Sequence, residues 1–297
     1  MVDYSFKLLH CKMAVLQMGQ IIERKLQNFV VEDLIGMEES ESLILFYSQS
    51  IWKIVGTFKL TQHIGFVALF LYKRFTLNTP IFKYDCKIAA IACVFLATKL
   101  ENGYQLTLKQ VCKRIIGIKA EDVKACEMLI LEGNDYELYI KTPWLPLLCL
   151  YNDFESLSQE QYKECVKYLE LTMNGDVIYL NSPSKLATAS VLAVFGADTV
   201  VAETFKLYLQ EKYTVAKQNE QADTTFAQWY KELNDIVDVL KKEVKYDNEM
   251  LKDINNRLLK YRNEHFKPEN NSDSIMPTKG TKRSVPSPQT GTQPSKK

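Results

Sequence analysis

The residues that could carry catalysis or bind a metal are scattered along this chain of 297 residues. Its three histidines, His10, His63 and His265, stand far apart and lack the spacing of metal ligands. None of the seven cysteines forms a C-x-x-C pair, and the motifs of phosphate loops, zinc proteases and nucleophile elbows are absent. The glutamate-rich residues 38–41 are typical of a solvated helix start rather than of an acid/base pair. The sequence therefore nominates no active site, and we expect no metal and no cofactor.

The charge of the chain is unevenly distributed, and this distribution bears on its partners. Residues 267–297 hold six lysines and arginines against two acidic residues, a net charge of +4. Residues 1–266 hold 31 basic and 34 acidic residues, a net charge of −3. Because contact with a nucleic-acid backbone needs a clustered basic face, we expect no direct binding of nucleic acid. No run of about 18 uncharged apolar residues occurs, so we expect no membrane span.

Helices must position whatever functional surface the chain has, because helical periodicity runs through almost all of it. We therefore expect an all-α fold. In the first half, helices are predicted at residues 5–31, 42–57, 61–77, 84–100, 107–116 and 120–133, with an acidic break at 37–41. In the second half, they are predicted at 143–153, 158–179, 183–198 and 200–212, followed by amphipathic segments at 226–244 and 251–261.

The helix predicted at residues 84–100 differs from the others because its residues 88–97 are uncharged and apolar on every side. Such a helix should be buried all round, at the centre of a bundle. Residues 185–195 repeat its pattern of a lysine followed by small and apolar residues, which we interpret as an internal duplication. The predicted units are an N-terminal helix (1–36), a first repeat (37–139), a second repeat (140–245), a C-terminal helix (246–266) and a disordered tail (267–297).

Several short motifs, in their order and spacing, resemble those of the cyclin family. They are Arg74-Phe75, residues 96–101 (LATKLE), residues 127–131 (EMLIL), Tyr136-Glu137-Leu138 and Pro143-Trp144. The resemblance covers residues 37–265 and implies two consecutive five-helix cyclin-fold domains with flanking N- and C-terminal helices. It also implies a non-catalytic chain that forms a heterodimer with a cyclin-dependent kinase and switches that kinase on.

In the cyclin family, a lysine and a glutamate on two helices bind the kinase helix that carries a catalytic glutamate. The resemblance implies that Lys99 and Glu127 form this charged pair. The apolar floor around the pair would consist of Leu96, Leu100, Leu131, Tyr136 and Leu138. Without the family pattern, Lys99 would merely favour the C-terminal dipole of its helix, and Glu127 would form an ordinary surface salt bridge.

Within the family, the motifs are most similar to cyclin H, the partner of the CDK-activating kinase in TFIIH. Residues 72–78 (YKRFTLN) and 38–41 carry this likeness, which implies a nuclear protein and leaves open a third assembly subunit. Lys73 stands where mitotic cyclins usually have an aspartate, and residues 43–57 lack their M-R-A-I-L docking patch. Other transcriptional cyclins of the C, K, T or L type, and a TFIIB-like factor with the same fold, are the alternatives.

The tail adds two short signals to this interpretation. Ser287-Pro288 is a minimal site for proline-directed phosphorylation, and Lys282-Arg283 is a weak nuclear address. Both belong to a segment that is rich in proline and poor in large apolar residues. Since such a segment cannot bury enough surface to offset its ordering entropy, we expect both signals to lie in a disordered tail.

Overall fold

The computed structural model describes residues 16–101, 106–171, 175–196, 199–219, 225–240 and 247–266. Ser287 and the rest of the tail lie outside the described residues, as do the first 15 residues. The first half contains α1 (Met18–Phe29), α2 (Met37–Phe58), α3 (Gln62–Asn78), a 3₁₀ turn (Ile81–Lys83), α4 (Cys86–Leu100), α5 (Leu108–Arg114) and α6 (Ala120–Gly133). The second half contains α7 (Trp144–Asp153), α8 (Gln159–Leu171), α9 (Val177–Leu180), α10 (Pro183–Phe195), α11 (Val200–Asn219), α12 (Phe226–Leu240) and α13 (Asn248–His265). The fold is all-α across these residues, as expected.

Helix α4 lies at the centre of the first group of helices, in contact with α2, α3 and α6. Eleven of its fifteen residues are buried, and many of them are small enough to let neighbouring helices approach closely. The carboxylate of Asp85 fixes the start of the helix by accepting the backbone N–H groups of Lys87 (2.9 Å) and Ile88 (3.2 Å). The prediction of a helix buried on every side is confirmed.

Helix α10 holds the same place in the second group, in contact with α7, α8 and α12. Eleven of its thirteen residues are buried. Ser182 caps its start, and Pro183 occupies the first turn, where the missing N–H group of proline leaves no helical hydrogen bond unmade. The two buried helices that the sequence pairs as a duplication therefore have equivalent surroundings.

Two helices at the ends of the chain pack back onto the first group. Helix α1 contacts α2 and α3, while α13 contacts α2 and the 3₁₀ turn although it follows the second group in the chain. The two groups also touch directly, where α3 contacts α7. In the part of the chain described here, no helix is both long and apolar enough to cross a membrane.

Several predicted boundaries differ from the structure. Helix α11 runs from Val200 to Asn219 and is therefore longer than the helix predicted at 200–212. The acidic break predicted at 37–41 is wrong, because α2 begins at Met37 and carries its acidic side chains at the positive end of the helix dipole. A single helix at 158–179 is also wrong, since the chain leaves the helical conformation at Gly175 before the separate turn of α9. Helix α10 ends at Phe195 rather than at 198, because Gly196 adopts a positive φ of 72°.

Candidate functional site

The packing of α4 against α6 brings Lys99 and Glu127 together at the surface. The ammonium of Lys99 lies 2.5 Å from a carboxylate oxygen of Glu127. The Lys99 side chain is 48% exposed and that of Glu127 13% exposed, so the base points outward and the acid lies deeper. The ammonium also lies 4.3 Å from the ring centroid of Phe95, one helical turn earlier. The ion pair thus sits on an apolar and aromatic base rather than among other charges.

The five residues of the predicted apolar floor occupy three different depths. Leu96 is buried in the core and supports the surface from beneath. Leu100, Leu131 and Leu138 are partly buried and pack against the same core. Tyr136 is 64% exposed, so its ring is available to a partner. Leu96 is therefore covered, whereas Tyr136 projects from the surface.

Met128 joins this region although the motif analysis gave it no role of its own. It is 59% exposed, whereas Val123, Cys126 and Ile130 on the other face of α6 are buried. An apolar residue out of phase with the buried stripe of its helix is the signal that could have identified it. We define the α4–α6 surface as Lys99, Leu100, Glu127, Met128, Leu131 and Tyr136.

The turn that follows α6 presents Tyr136 in an uncommon backbone conformation. Asp135 and Tyr136 both have positive φ angles, of 53° and 56°. The backbone N–H of Tyr136 donates to the carbonyl of Leu131 (2.9 Å), which closes the end of the helix. Two successive non-glycine residues in this conformation need support from outside the turn.

Arg74, at the C-terminal part of α3, supplies that support. Its guanidinium donates to the side-chain oxygen of Asn134 (2.7 Å), the backbone carbonyl of Asn134 (3.2 Å), the carboxylate of Glu137 (3.2 Å) and the backbone carbonyl of Glu137. Burial lowers the pKa of Arg74, and the charges of Glu137 and Asp135 partly offset this effect. The Arg-Phe motif of the sequence therefore acts as the anchor of the turn that carries Tyr136.

Close packing beneath the same turn requires a glycine. A Cβ atom on Gly133 would lie 2.4 Å from the hydroxyl oxygen of Thr79 and 2.8 Å from the ring of Phe75. The side chain of Asn78 uses this close approach to donate to the carbonyl of Gly133 (3.1 Å). The C-terminal ends of α3 and α6 are thus fixed to each other directly below the turn.

The described residues contain no group of three or more histidine, cysteine or acidic side chains that could hold a metal ion. His63 instead pairs with Glu101 (3.1 Å) and stacks near Trp144. Burial raises the pKa of the Cys86 and Cys126 thiols to about 12, so neither thiol supplies a reactive thiolate.

Comparison with known proteins places this surface in a family context. Residues 23–139 match the family model described as "Cyclin, N-terminal domain". Over these residues, which are less than half of the chain, the protein is similar to the N-terminal domain of cyclins. The match agrees with the prediction of a non-catalytic chain.

The curated cyclins that this chain resembles are distant in sequence. Cyclin mcs2 of Schizosaccharomyces pombe is 28% identical over 170 residues, which cover 54% of this chain and 52% of mcs2. Cyclin-C1-1 of Oryza sativa subsp. japonica is 26% identical over 165 residues, which cover 53% of this chain and 63% of that cyclin. The chain therefore spans between about half and two thirds of the length of these relatives.

Solved structures share the fold over a larger part of this chain. A chain of the CAK complex from Chaetomium thermophilum, solved with ATP-gamma-S bound, superposes with a TM-score of 0.61 and 15% identity, covering 92% of this chain and 94% of that chain. A chain of the yeast TFIIK (Kin28/Ccl1/Tfb3) complex superposes with a TM-score of 0.62 and 18% identity, covering 77% and 96%. These likenesses show that the cyclin fold extends through both groups of helices.

Proposed function

We propose that this chain is a cyclin, which binds a cyclin-dependent kinase as a heterodimer and activates it. The kinase docks on the α4–α6 surface, with Lys99 and Glu127 facing the kinase helix that carries a catalytic glutamate. Binding that favours the inward position of this helix shifts the kinase toward its active population. The catalytic glutamate of the kinase then reaches the lysine that positions the phosphates of ATP. All chemistry takes place in the kinase.

One observation carries the proposal, namely an ion pair surrounded by partly exposed apolar and aromatic side chains. Charged pairs of this kind fix the register of a complex, while aromatic and aliphatic side chains supply most of the affinity. Tyr136 and Met128 are the exposed apolar groups that a kinase would cover. The ion pair alone would contribute little, because Lys99 is half exposed and solvent screens it.

The kinase that we propose is the CDK-activating kinase of TFIIH, with this chain in the place of cyclin H. Two observations support this choice, the YKRFTLN motif at residues 72–78 and the likeness of fold to chains of the CAK and TFIIK complexes. The yeast complex contains a third subunit, Tfb3, and we propose a third assembly subunit for this chain as well. A nuclear location follows from that assignment.

A cyclin of the C type is the second candidate, because a specific match favours it. Cyclin-C1-1 of Oryza sativa shares 26% identity with this chain over 63% of its own length. Both candidates keep the same docking surface and differ in the kinase that is bound. We also propose the division of the chain into a kinase-binding first repeat at 37–139 and a second repeat at 140–245, with a separate C-terminal helix from residue 246.

The test is affinity capture from nuclear extract with the full chain as bait, followed by identification of the bound kinase. We expect the CDK-activating kinase together with other TFIIH subunits. Capture of a different transcriptional kinase would overturn the cyclin H assignment and keep the mechanism. Capture of polymerase or DNA without any kinase would overturn the proposed function itself.

Lys99→Ala and Glu127→Ala test whether the α4–α6 surface makes the contact. Each should weaken the affinity for the captured kinase by about tenfold or more, equivalent to about 1.4 kcal/mol. Lys87→Ala is the matched control, because Lys87 is an exposed lysine at the opposite end of α4. The site assignment is wrong if both variants bind as tightly as the control when affinity is measured by titration.

A further inference from the structure

Helix α1 makes polar contacts with both groups of helices. In the first group, Arg24 donates to the side-chain oxygen of Asn78 (2.6 Å), and Asn28 donates to the carbonyl of Leu77 (2.9 Å). In the second group, Leu16, two residues before α1, donates its backbone N–H to the carbonyl of Tyr179 (3.1 Å). The helix therefore spans the junction rather than capping the first group alone.

Lys25 lies at the centre of this junction. Its ammonium is 2.6 Å from the carboxylate of Glu41 on α2 and 2.6 Å from the carboxylate of Asp176 at the start of α9. Burial by itself would lower the pKa of Lys25, but hydrogen bonds and charge from Asp176 and Glu41 outweigh it and raise that pKa above its ordinary value. Lys25 therefore stays charged and connects α1 to α2 and to the start of α9.

Lys73 and Tyr179 extend the cluster to α3. The hydroxyl of Tyr179 donates to the backbone carbonyl of Lys73 (2.9 Å), and the ammonium of Lys73 lies 5.4 Å from the centroid of the Tyr179 ring. A cavity of about 150 Å³ borders these side chains together with Lys25 and Asp176. Its volume is enough for several waters, so the charged groups have room to rearrange.

The junction also connects to the turn that carries Tyr136. Asn78 accepts a hydrogen bond from Arg24 on α1 and donates one to the carbonyl of Gly133 at the end of α6. A displacement of α1 would therefore be transmitted to the end of α6 through the side chain of Asn78. Arg74, the anchor of the same turn, directly follows Lys73 in α3.

We propose that α1 is an ionic brace, in which Lys25 joins the first group of helices to the second through Glu41 and Asp176. The brace holds the two groups in one relative arrangement and keeps the turn at 134–138 in place. Neutralising one partner of this partly buried pair leaves the charge of the other uncompensated, whereas neutralising both removes both of these charges and leaves Glu41 and Lys73 in the cluster. The arrangement therefore depends on the pair as a unit, and the charges of Lys25 and Asp176 are coupled.

Hydrogen exchange of the free full-length chain, followed by mass spectrometry, tests the brace without any kinase. We expect amides of α1 and α9 to exchange about tenfold faster in Lys25→Met and in Asp176→Asn than in the wild type. Amides of the turn at 134–138 should also exchange faster. In the double variant, the increase in exchange rate over the wild type should be smaller than the product of the two single increases. Glu41 is half exposed and can be hydrated once Lys25 is gone.

Glu203→Gln is the control, because it removes an ion pair with Lys206 inside a single helix and should leave α1 unchanged. The brace is overturned if α1 exchanges at the wild-type rate in both single variants. It is also overturned if the two single effects simply multiply in the double variant, since independent effects would mean that Lys25 and Asp176 are not coupled. If a single variant fails to fold, exchange of α1 in the double variant decides the test, because exchange at the wild-type rate there would overturn the brace.

Discussion

Lys99 and Glu127 show how single residues acquire a role from the fold. They lie far apart in the sequence, and the packing of α4 on α6 brings their charged atoms within 2.5 Å of each other. The exposed ammonium of Lys99 can also pair with a carboxylate of a partner, while the more buried Glu127 keeps the lysine side chain in place. At the residue scale, we propose that the pair supplies orientation in a complex and that Met128 and Tyr136 supply apolar area.

Lys73 is the residue whose charge should affect stability most clearly. Burial lowers its pKa to about 8 from 10.5, and the charge of Lys25 adds to this effect, while Asp176 and Glu41 oppose it. Between pH 8 and 10.5 the unfolded chain therefore binds more protons than the folded chain, so the free energy of unfolding should rise with pH in that window. The rise amounts to about 2–3 kcal/mol.

Lys73→Met removes this dependence. At pH 7 the variant should be more stable than the wild type by up to about 2–3 kcal/mol, because the cost of a buried charge is gone. The difference should shrink as the pH is raised from 8 to 10. Urea unfolding of both proteins at several pH values measures it, and comparison within each pH cancels the titration of tyrosines and cysteines. A difference that stays constant with pH would contradict the lowered pKa of Lys73.

At the scale of elements, the end of α6 is defined by contacts from α3 rather than by its own sequence alone. Gly133→Ala should lower the free energy of unfolding by about 1–3 kcal/mol, because the added methyl group would overlap Thr79 and the ring of Phe75. Gly56→Ala in α2 is the matched control, since its Cβ would meet no atom within 4 Å. There the helix propensity of alanine should stabilise the protein by about 0.5–1 kcal/mol.

Urea unfolding measures the change in the free energy of unfolding for both glycine variants. Opposite signs would establish that close packing, not backbone freedom, makes the glycine at 133 necessary. If Gly133→Ala were as stable as the wild type, α3 and α6 would have to separate at little cost. The anchoring of the Tyr136 turn by Arg74 and Asn78 would then be weaker than these hydrogen bonds indicate.

At the scale of the whole molecule, α13 returns from the second group of helices to the first. Arg262 donates to the carbonyl of Tyr84 (2.7 Å) and pairs with Asp85 (3.3 Å), while Arg257 pairs with Glu39. The bond from Arg257 lowers the pKa of the Glu39 carboxyl more than burial raises it. The C-terminal helix is thus part of the first core.

Neighbouring leucines on α13 test this conclusion. Leu258 is 1% exposed and Leu259 is 50% exposed. Leu258→Ala should lower the free energy of unfolding by about 2–4 kcal/mol, because it leaves a cavity against α2, whereas Leu259→Ala should change it by less than about 0.5 kcal/mol. Chemical denaturation measures both. Equal effects in the two variants would mean that α13 does not bury its apolar stripe as described.

Periodicity and composition were enough to predict the class of fold and its two most buried helices. Residues 88–97 are apolar on all sides and can be stable only inside a bundle, so the central place of α4 follows from its sequence. The caps at Asp85 and Ser182 likewise depend on local residue types. The break between α8 and α9 was missed, because a single glycine in an amphipathic pattern is a weak signal against helix continuation.

The sequence by itself determined that the chain is helical, internally duplicated and similar to cyclins, because these properties follow from residue types at short spacing. Only the tertiary structure decided which motif residues meet and which are exposed. The packing of the helices buries Leu96 and leaves Met128 exposed. It also makes Arg74 the anchor of a turn formed 60 residues later. It also brought Lys25 to Asp176, since long-range contacts depend on how whole helices pack, and local pattern carries no record of that.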